Sequence, residues 1–300
     1  MIAFLLLLII ALLLGLRRRT ESDGAKTWLN KETTSAINGF WILIVFLSHA
    51  NSYISRAGYQ YAHFGDNIYK FFFGFVGQLM VAMFLFNSGF GVMESIKAKG
   101  ESYIRTMPKR RMLATLLNFD VAVLAFIGMN LIMGISMTIP QILGSFVCWH
   151  DVGNSNWYIF AILCCYLFAF AGFSLFKSIP KSVLATLGML VGYLAVLPLI
   201  KEKSCWYNTI FAFGAGMVVA WHKERLFLLF NRHYIGCLCL VGFCVLAGLP
   251  LAWRFPFYGV SYNVVSVMFT LLAAVFFARF DLRGGGADMV WKVHLSHIHI

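Results

Sequence analysis

Charge is what this chain has least of. Only 12 % of its 300 residues are Asp, Glu, Lys or Arg, against about a quarter in a soluble globular protein. Too few charged side chains exist to cover a water-facing surface, and no stretch reads as a separate soluble domain. No internal repeat or low-complexity tract stands out. Acid is scarcer than base, 12 residues against 24, for a net charge of +12. Such an excess raises nucleic acid as a partner. The basic residues sit in short loops between apolar runs, which argues against it. The seven cysteines show no metal-ligand spacing and lie in or beside apolar segments. They read as packing residues, with neither a redox role nor a disulfide framework.

Apolar sequence is what is there instead. Sixty per cent of the residues are hydrophobic and the mean hydropathy is +0.79. Runs of roughly 17–25 apolar residues recur, the length that crosses a hydrocarbon core of about 30 Å. They fall near 2–16, 38–56, 69–94, 112–134, 156–176, 182–200, 206–221, 234–251 and 259–279. The expected fold is therefore an all-α polytopic bundle of about nine membrane helices. The first run lacks a basic n-region and a small-residue cleavage site, and Arg17-Arg18-Arg19 follows it at once. It reads as an anchor with its N-terminus outside rather than a cleaved signal. Alternating the crossings from there leaves Arg56, Lys70, Lys201, Lys203 and Arg254 in outer loops, with Lys292 in the tail. Every other basic residue falls inside, as the positive-inside rule requires of a multi-pass protein of the cell membrane. Three regions follow: 1–37 as anchor and cytoplasmic linker, 38–283 as the transmembrane domain, and 284–300 as an atypical tail. The tail histidines His294, His297 and His299 carry no assigned site, and no metal is expected.

Polar residues inside membrane helices are candidates for function by default. In the second run Asn38 and His49 are 11 positions apart, about 20° from one line and about 16 Å along the axis. Ser52, Tyr53 and Arg56 extend the same stripe. An imidazole in the outer half of the membrane can take a proton from a hydroxyl and return it. A histidine hydrogen-bonded between helices without any reaction is the competing reading. Ser88, Gly89 and Gly91 in the third run permit close helix approach. After them come Lys97, Lys99, Arg105, Lys109, Arg110 and Arg111, a cluster suited to anionic headgroups or to a nucleotide phosphate. Asp120 needs a partner in its helix, His150 and Asp151 read as solvated loop residues, and Glu94 reads as a solvated helix end.

Several segments taken in order resemble the acyltransferase 3 family of membrane O-acyltransferases, over roughly residues 31–283. They are Leu47-Ser48-His49-Ala50, Phe86-Asn87-Ser88-Gly89-Phe90-Gly91, the basic Tyr103-to-Arg111 stretch, Asn156-Trp157-Tyr158-Ile159, and Trp206 to Met217 closing in Lys223-Glu224. The resemblance implies transfer of an acyl group, usually acetyl from acetyl-CoA as co-substrate, to a hydroxyl of an extracytoplasmic glycan or lipid-linked sugar. It implies His49 as general base, with Asn38 and Ser88 orienting groups along the path. Lys109, Arg110, Arg111 and Arg105 would hold the acyl-CoA, and Trp157, Tyr158, Tyr53 and Arg56 would meet the acceptor. The family pattern has a basic residue where Asn38 stands, and a second basic partner where Leu113 and Ala114 stand. Its members also continue past the ninth segment with a further helix. Two rivals stay open: a transporter of a small polar solute with His49 as proton relay, and a non-catalytic family member that binds lipid or partners.

Overall fold

The computed structural model describes residues 2–20, 23–60, 63–76, 78–201, 203–254 and 258–282, the side chains at 52, 55, 56, 75, 76 and 258 excepted. Lys292 and the tail histidines lie outside them. The described chain is helical almost throughout. In order it forms α1 (Ile2–Gly15), α2 (Lys31–Arg56), α3 (Phe64–Val76), α4 (Leu79–Lys99), α5 (Glu101–Met107) and α6 (Ala114–Ile132). There follow α7 (Ile139–Ser145), α8 (Trp157–Leu175), α9 (Ile179–Ile200), α10 (Phe211–Trp221), α11 (Lys223–Arg232), α12 (Tyr234–Arg254) and α13 (Tyr258–Arg279). Strands β1 (Leu16–Arg18) and β2 (Phe280–Leu282) pair antiparallel, Leu16 opposite Leu282. Long apolar runs favour this outcome, because hydrocarbon offers the backbone no hydrogen-bond partner outside its own helix.

Among the described residues, seven helical stretches are long and apolar enough to cross a membrane: Lys31–Asn51, Leu79–Lys99, Glu101–Ile132, Trp157–Leu175, Ile179–Ile200, Tyr234–Arg254 and Gly259–Arg279. The protein is thus a multi-pass membrane bundle. Leu184, Val191, Leu240 and Phe243 face outward, as lipid-facing side chains do. Two of the nine expected segments form shorter helices, the 14 residues of α1 and the 11 of α10.

α4 is the central post, buried along most of its length. Its tightest neighbour is α10, and glycine on each helix sets the spacing. A β-carbon at Gly89 would lie 2.0 Å from the Phe213 carbonyl oxygen, and one at Gly216 would lie 2.0 Å from that of Phe86. Only residues without side chains let two backbones meet this closely.

The two ends of the bundle differ. At one, Arg19 N–H donates to Arg279 O, Thr33 Oγ1 to Asp281 Oδ1 (2.5 Å) and buried Trp28 Nε1 to Ala274 O (3.2 Å). Lys97 Nζ meets Ala220 O, and Lys177 is within electrostatic reach of Glu101. These contacts gather most of the basic loops on a single face. At the other end Lys201 Nζ donates to Trp149 O and Tyr193 OH to Trp206 O.

Two expectations need correction. The segment 69–94 is two helices, α3 ending at Val76 and α4 beginning at Leu79 after its N-cap Gln78. Phe71-Phe72-Phe73 kept the apolar run unbroken to the eye, yet α3 carries Asp66, Asn67 and Lys70 and lies against α1 and α2, where Tyr69 OH donates to Leu47 O. The segment 112–134 starts eleven residues early: one helical span runs from Glu101 to Ile132. Pro108 does not end it, because a π turn over Pro108–Leu113 absorbs the missing donor. Position 38 lies inside α2, and the described residues of 16–37 contact the bundle through β1, Trp28 and Thr33.

Larger side chains at the α4–α10 contact are expected to break the bundle. Gly216→Leu should cost at least about 3 kcal/mol, the upper range for overpacking, read as a lower unfolding temperature in detergent. Gly188→Ala, where a β-carbon meets nothing within 4 Å, should leave that temperature unchanged or raise it.

Candidate functional site: a basic cleft beside α4

The π turn decides where the arginines point. In an unbroken α-helix, residues 103 and 111 would be about 80° out of line. A π turn takes one extra residue, so the same eight positions sweep the angle of seven and return to within about 20°. The Ala114 N–H accordingly reaches the Lys109 carbonyl, five residues back. Arg111 Nε then donates to the Tyr103 hydroxyl at 3.2 Å, and its guanidinium lies beside the hydroxyl of Tyr166 from α8. Ser88 approaches the same phenol from α4.

Around Arg111 opens a cleft of two adjoining lobes, about 500 and 440 Å³, that share Ser95, Lys99 and Arg111. The inner lobe runs between α2 and α4 past Lys26, Lys31, Asn38, Asn87, Ser88, Glu94 and Lys223. The outer lobe adds Ser102, Tyr103, Thr106 and Arg110. Asn87 Nδ2 donates to Asn38 Oδ1 at 2.7 Å and joins the two helices at the lobe's inner end. Among the described residues of either lining, Glu94 is the one acid. It holds Lys97 at 2.7 Å and Lys223 at 3.0 Å, and the Lys223 side chain is 8 % exposed. Six cations therefore line the two lobes against one carboxylate.

Of the residues singled out in the sequence, the cleft brings together Asn38, Ser88, Arg110 and Arg111. Lys109 is exposed and lines neither lobe. Arg105 spends its guanidinium on Glu101 at 2.7 Å, on an exposed surface. His49 is exposed on α2 and also lines neither lobe. Tyr53 is exposed beyond it, and the Arg56 side chain lies outside the described residues. Trp157 and Tyr158 stack edge to face at 6.1 Å, Tyr158 also against Phe84 of α4, with its hydroxyl buried. Asp120 buries Oδ1 without a hydrogen-bond partner.

Glu94 corrects an expectation: it is a bridge between two lysines rather than a solvated helix end. Tyr103, Tyr166, Asn87 and Lys223 were not singled out as site residues. Lys223 carried the best available signal, a cation directly after the apolar run of α10. Among the described residues no group of three His, Cys, Asp or Glu is arranged to hold a metal ion.

At the far end Lys201 lies 3.7 Å from the Trp149 ring centre and 4.0 Å from that of Trp206. Desolvation pulls its pKa below the ordinary 10.5, and nearby Asp151 offsets part of this. No family model matches the chain, no curated protein matches it, and no solved structure matches it.

Two outcomes are expected. Lys223→Met leaves Glu94 half-buried beside a single lysine and should cost about 1–3 kcal/mol, less than for a fully buried pair. Glu94→Gln in the same chain should return much of that loss, and a double-mutant cycle on unfolding temperature measures the coupling. For Lys201 the folded pKa is the lower one, so the unfolded chain binds more protons between that value and 10.5. The contribution of Lys201 to stability must rise with pH across that interval. The Lys201→Met variant should lack the increment when its thermal unfolding is compared with wild type over the same range.

Proposed function

We propose that this chain is a membrane acyltransferase that takes an acyl group, acetyl in the simplest case, from acyl-CoA to a hydroxyl of an extracytoplasmic glycan or lipid-linked sugar. The cationic two-lobed cleft carries the reading. Acyl-CoA is a compact polyanion joined to a long polar arm. Lys99, Arg110 and Arg111 suit its phosphates, because guanidinium groups bind phosphate oxygens in pairs. The inner lobe, walled by Asn38, Asn87 and Ser88, suits the arm. A small inorganic anion would leave most of such a volume empty.

In this reading the basic end faces the cytoplasm of the cell membrane, as the positive-inside rule favours, and the N-terminus is outside. The chain crosses nine times, α1 and α10 being the two short crossings. The thioester lies along the α2 face that runs from Asn38 toward His49. His49 accepts the proton of the acceptor hydroxyl while that oxygen attacks the thioester carbonyl. The carbon–oxygen bond forms, the carbon–sulfur bond breaks, and the departing thiolate takes the proton from the imidazolium. Trp157, Tyr158, Tyr53 and Arg56 are the proposed acceptor-facing residues. Acyl-CoA is a substrate here, and no tightly bound cofactor is invoked.

Reconstituted protein supplied with labelled acetyl-CoA and cell-envelope glycans should transfer label to glycan. His49→Ala should lower the rate 100-fold or more, the usual worth of a general base. Arg111→Ala should act through KM for acetyl-CoA, raising it about tenfold, the loss of one charge-assisted contact. Solute flux without CoA turnover would overturn the reading.

A further inference from the structure

We propose that the pocket where β1 meets the end of α13 is a seat for the phosphate of an anionic phospholipid headgroup. It is separate from the cleft beside α4 and does not depend on the acyl-CoA reading.

The pocket holds about 200 Å³ and is lined by Arg18, Arg19 and Asp23, by Asn231 of α11 and by Arg279 of α13. Strand pairing builds it. Arg18 stands opposite Phe280 across β1 and β2, and Arg19 N–H donates to Arg279 O at 2.9 Å. Three arginines far apart in sequence are thereby brought to one place. Arg279 is fixed by neutral groups: Nε donates to Asn231 Oδ1 at 3.0 Å, Nη2 donates to Asn231 O at 2.8 Å, and the guanidinium lies over the Tyr234 ring. Its position is set and its charge is kept. Arg19 is held on the carbonyls of Thr27 and Gly24 and beside the Phe227 ring. Arg18 is exposed, and its side chain makes no hydrogen bond or ion pair among the described residues. Asp23 is the one acid of the lining among those residues, and its Oδ2 accepts from Thr20 N–H and Oγ1.

Three guanidinium groups against one carboxylate favour an anion, and phosphate suits them because it takes their N–H groups in pairs. The surroundings favour a lipid as its source. Leu13 and Leu14 of α1 are exposed within five residues of Arg18, Leu14 to 83 %. On α11, Leu228 and Leu229 are exposed within one turn of Asn231. Leucines on both segments put apolar surface next to a cationic pocket at the basic end of a membrane bundle. A free phosphate ion makes no use of that surface. A phospholipid supplies hydrocarbon and phosphate in one molecule, and basic pockets at the bilayer surface take anionic headgroups in this way.

The test offers purified protein in neutral detergent three ligands: phosphatidylglycerol, phosphatidylcholine, and glycerol 3-phosphate, which has the phosphate without the chains. Native mass spectrometry counts what is bound. Wild type should hold phosphatidylglycerol more tightly than either of the others. Arg18→Gln and Arg279→Gln should each weaken it about fivefold, the worth of one cation near a lipid surface. Arg111→Gln, in the other cleft, should leave it unchanged. Arg18→Gln is decisive, because it removes no side-chain contact from the fold and should keep the wild-type unfolding temperature without lipid. If it binds phosphatidylglycerol as wild type does, or if Arg111→Gln weakens binding equally, the seat is not here and the proposal falls. If phosphatidylcholine binds as well, headgroup charge is not what is read, and it falls too. If glycerol 3-phosphate binds as tightly as phosphatidylglycerol, the source is a soluble phosphate and the lipid assignment is overturned.

Discussion

No β-carbon fits between Gly216 and the Phe86 carbonyl, nor between Gly89 and that of Phe213, and this double contact sets the spacing of the rest. It brings α10 against α4 closely enough for Lys223, just past the end of α10, to reach Glu94. It also lets Lys97 reach the Ala220 carbonyl. Lipid supplies no hydrophobic pressure between helices, so packing at small residues and interhelical hydrogen bonds hold such bundles together. Here both devices fall on the same pair of helices. The cleft then opens on the side of α4 that α10 leaves free, toward α2 and the Glu101–Ile132 span.

The π turn has the corresponding role for Arg111. Without it, Pro108 would either end the helix or leave the arginine about 80° away from Tyr103. One inserted residue keeps the span continuous and turns the guanidinium inward. The neighbouring Arg110 stays exposed at the mouth. Two adjacent arginines thus take different tasks, one at the entrance and one at the inner wall.

The membrane helices were legible because their signal is local: an apolar run has a length, and its flanking charges have a sign. The division between α3 and α4 was not legible, because Phe71, Phe72 and Phe73 look like the start of a crossing. Arg110, Arg111, Asn38 and Ser88 could be singled out from motifs and helical phase. Tyr166 could not, and the position of Lys223 after an apolar run did not show its partner, since which helix each faces depends on contacts far away in sequence. Asn38 and His49 lie on nearly one line of α2, as helical phase requires. Phase does not say how far up a neighbour covers that line: α4 meets it at Asn38, and His49 is exposed.

The charge of the cleft then has a physical consequence. Glu94 is already shared between Lys97 and Lys223, so among the described residues no carboxylate of the lining is left for Lys26, Lys31, Lys99, Arg110 or Arg111. Like charges around one cavity raise one another's energy, and a low-dielectric wall on the bundle side lengthens the reach of that repulsion. Surface repulsion of this kind is relieved by salt or by a bound anion, and only a bound anion can be specific. A multivalent anion relieves several cations at once while paying the entropy of binding once. A polyphosphorylated ligand, such as the acyl-CoA we propose, would answer this arrangement better than single ions. The half-buried Lys223–Glu94 pair keeps its inner wall in place whether or not that ligand is there.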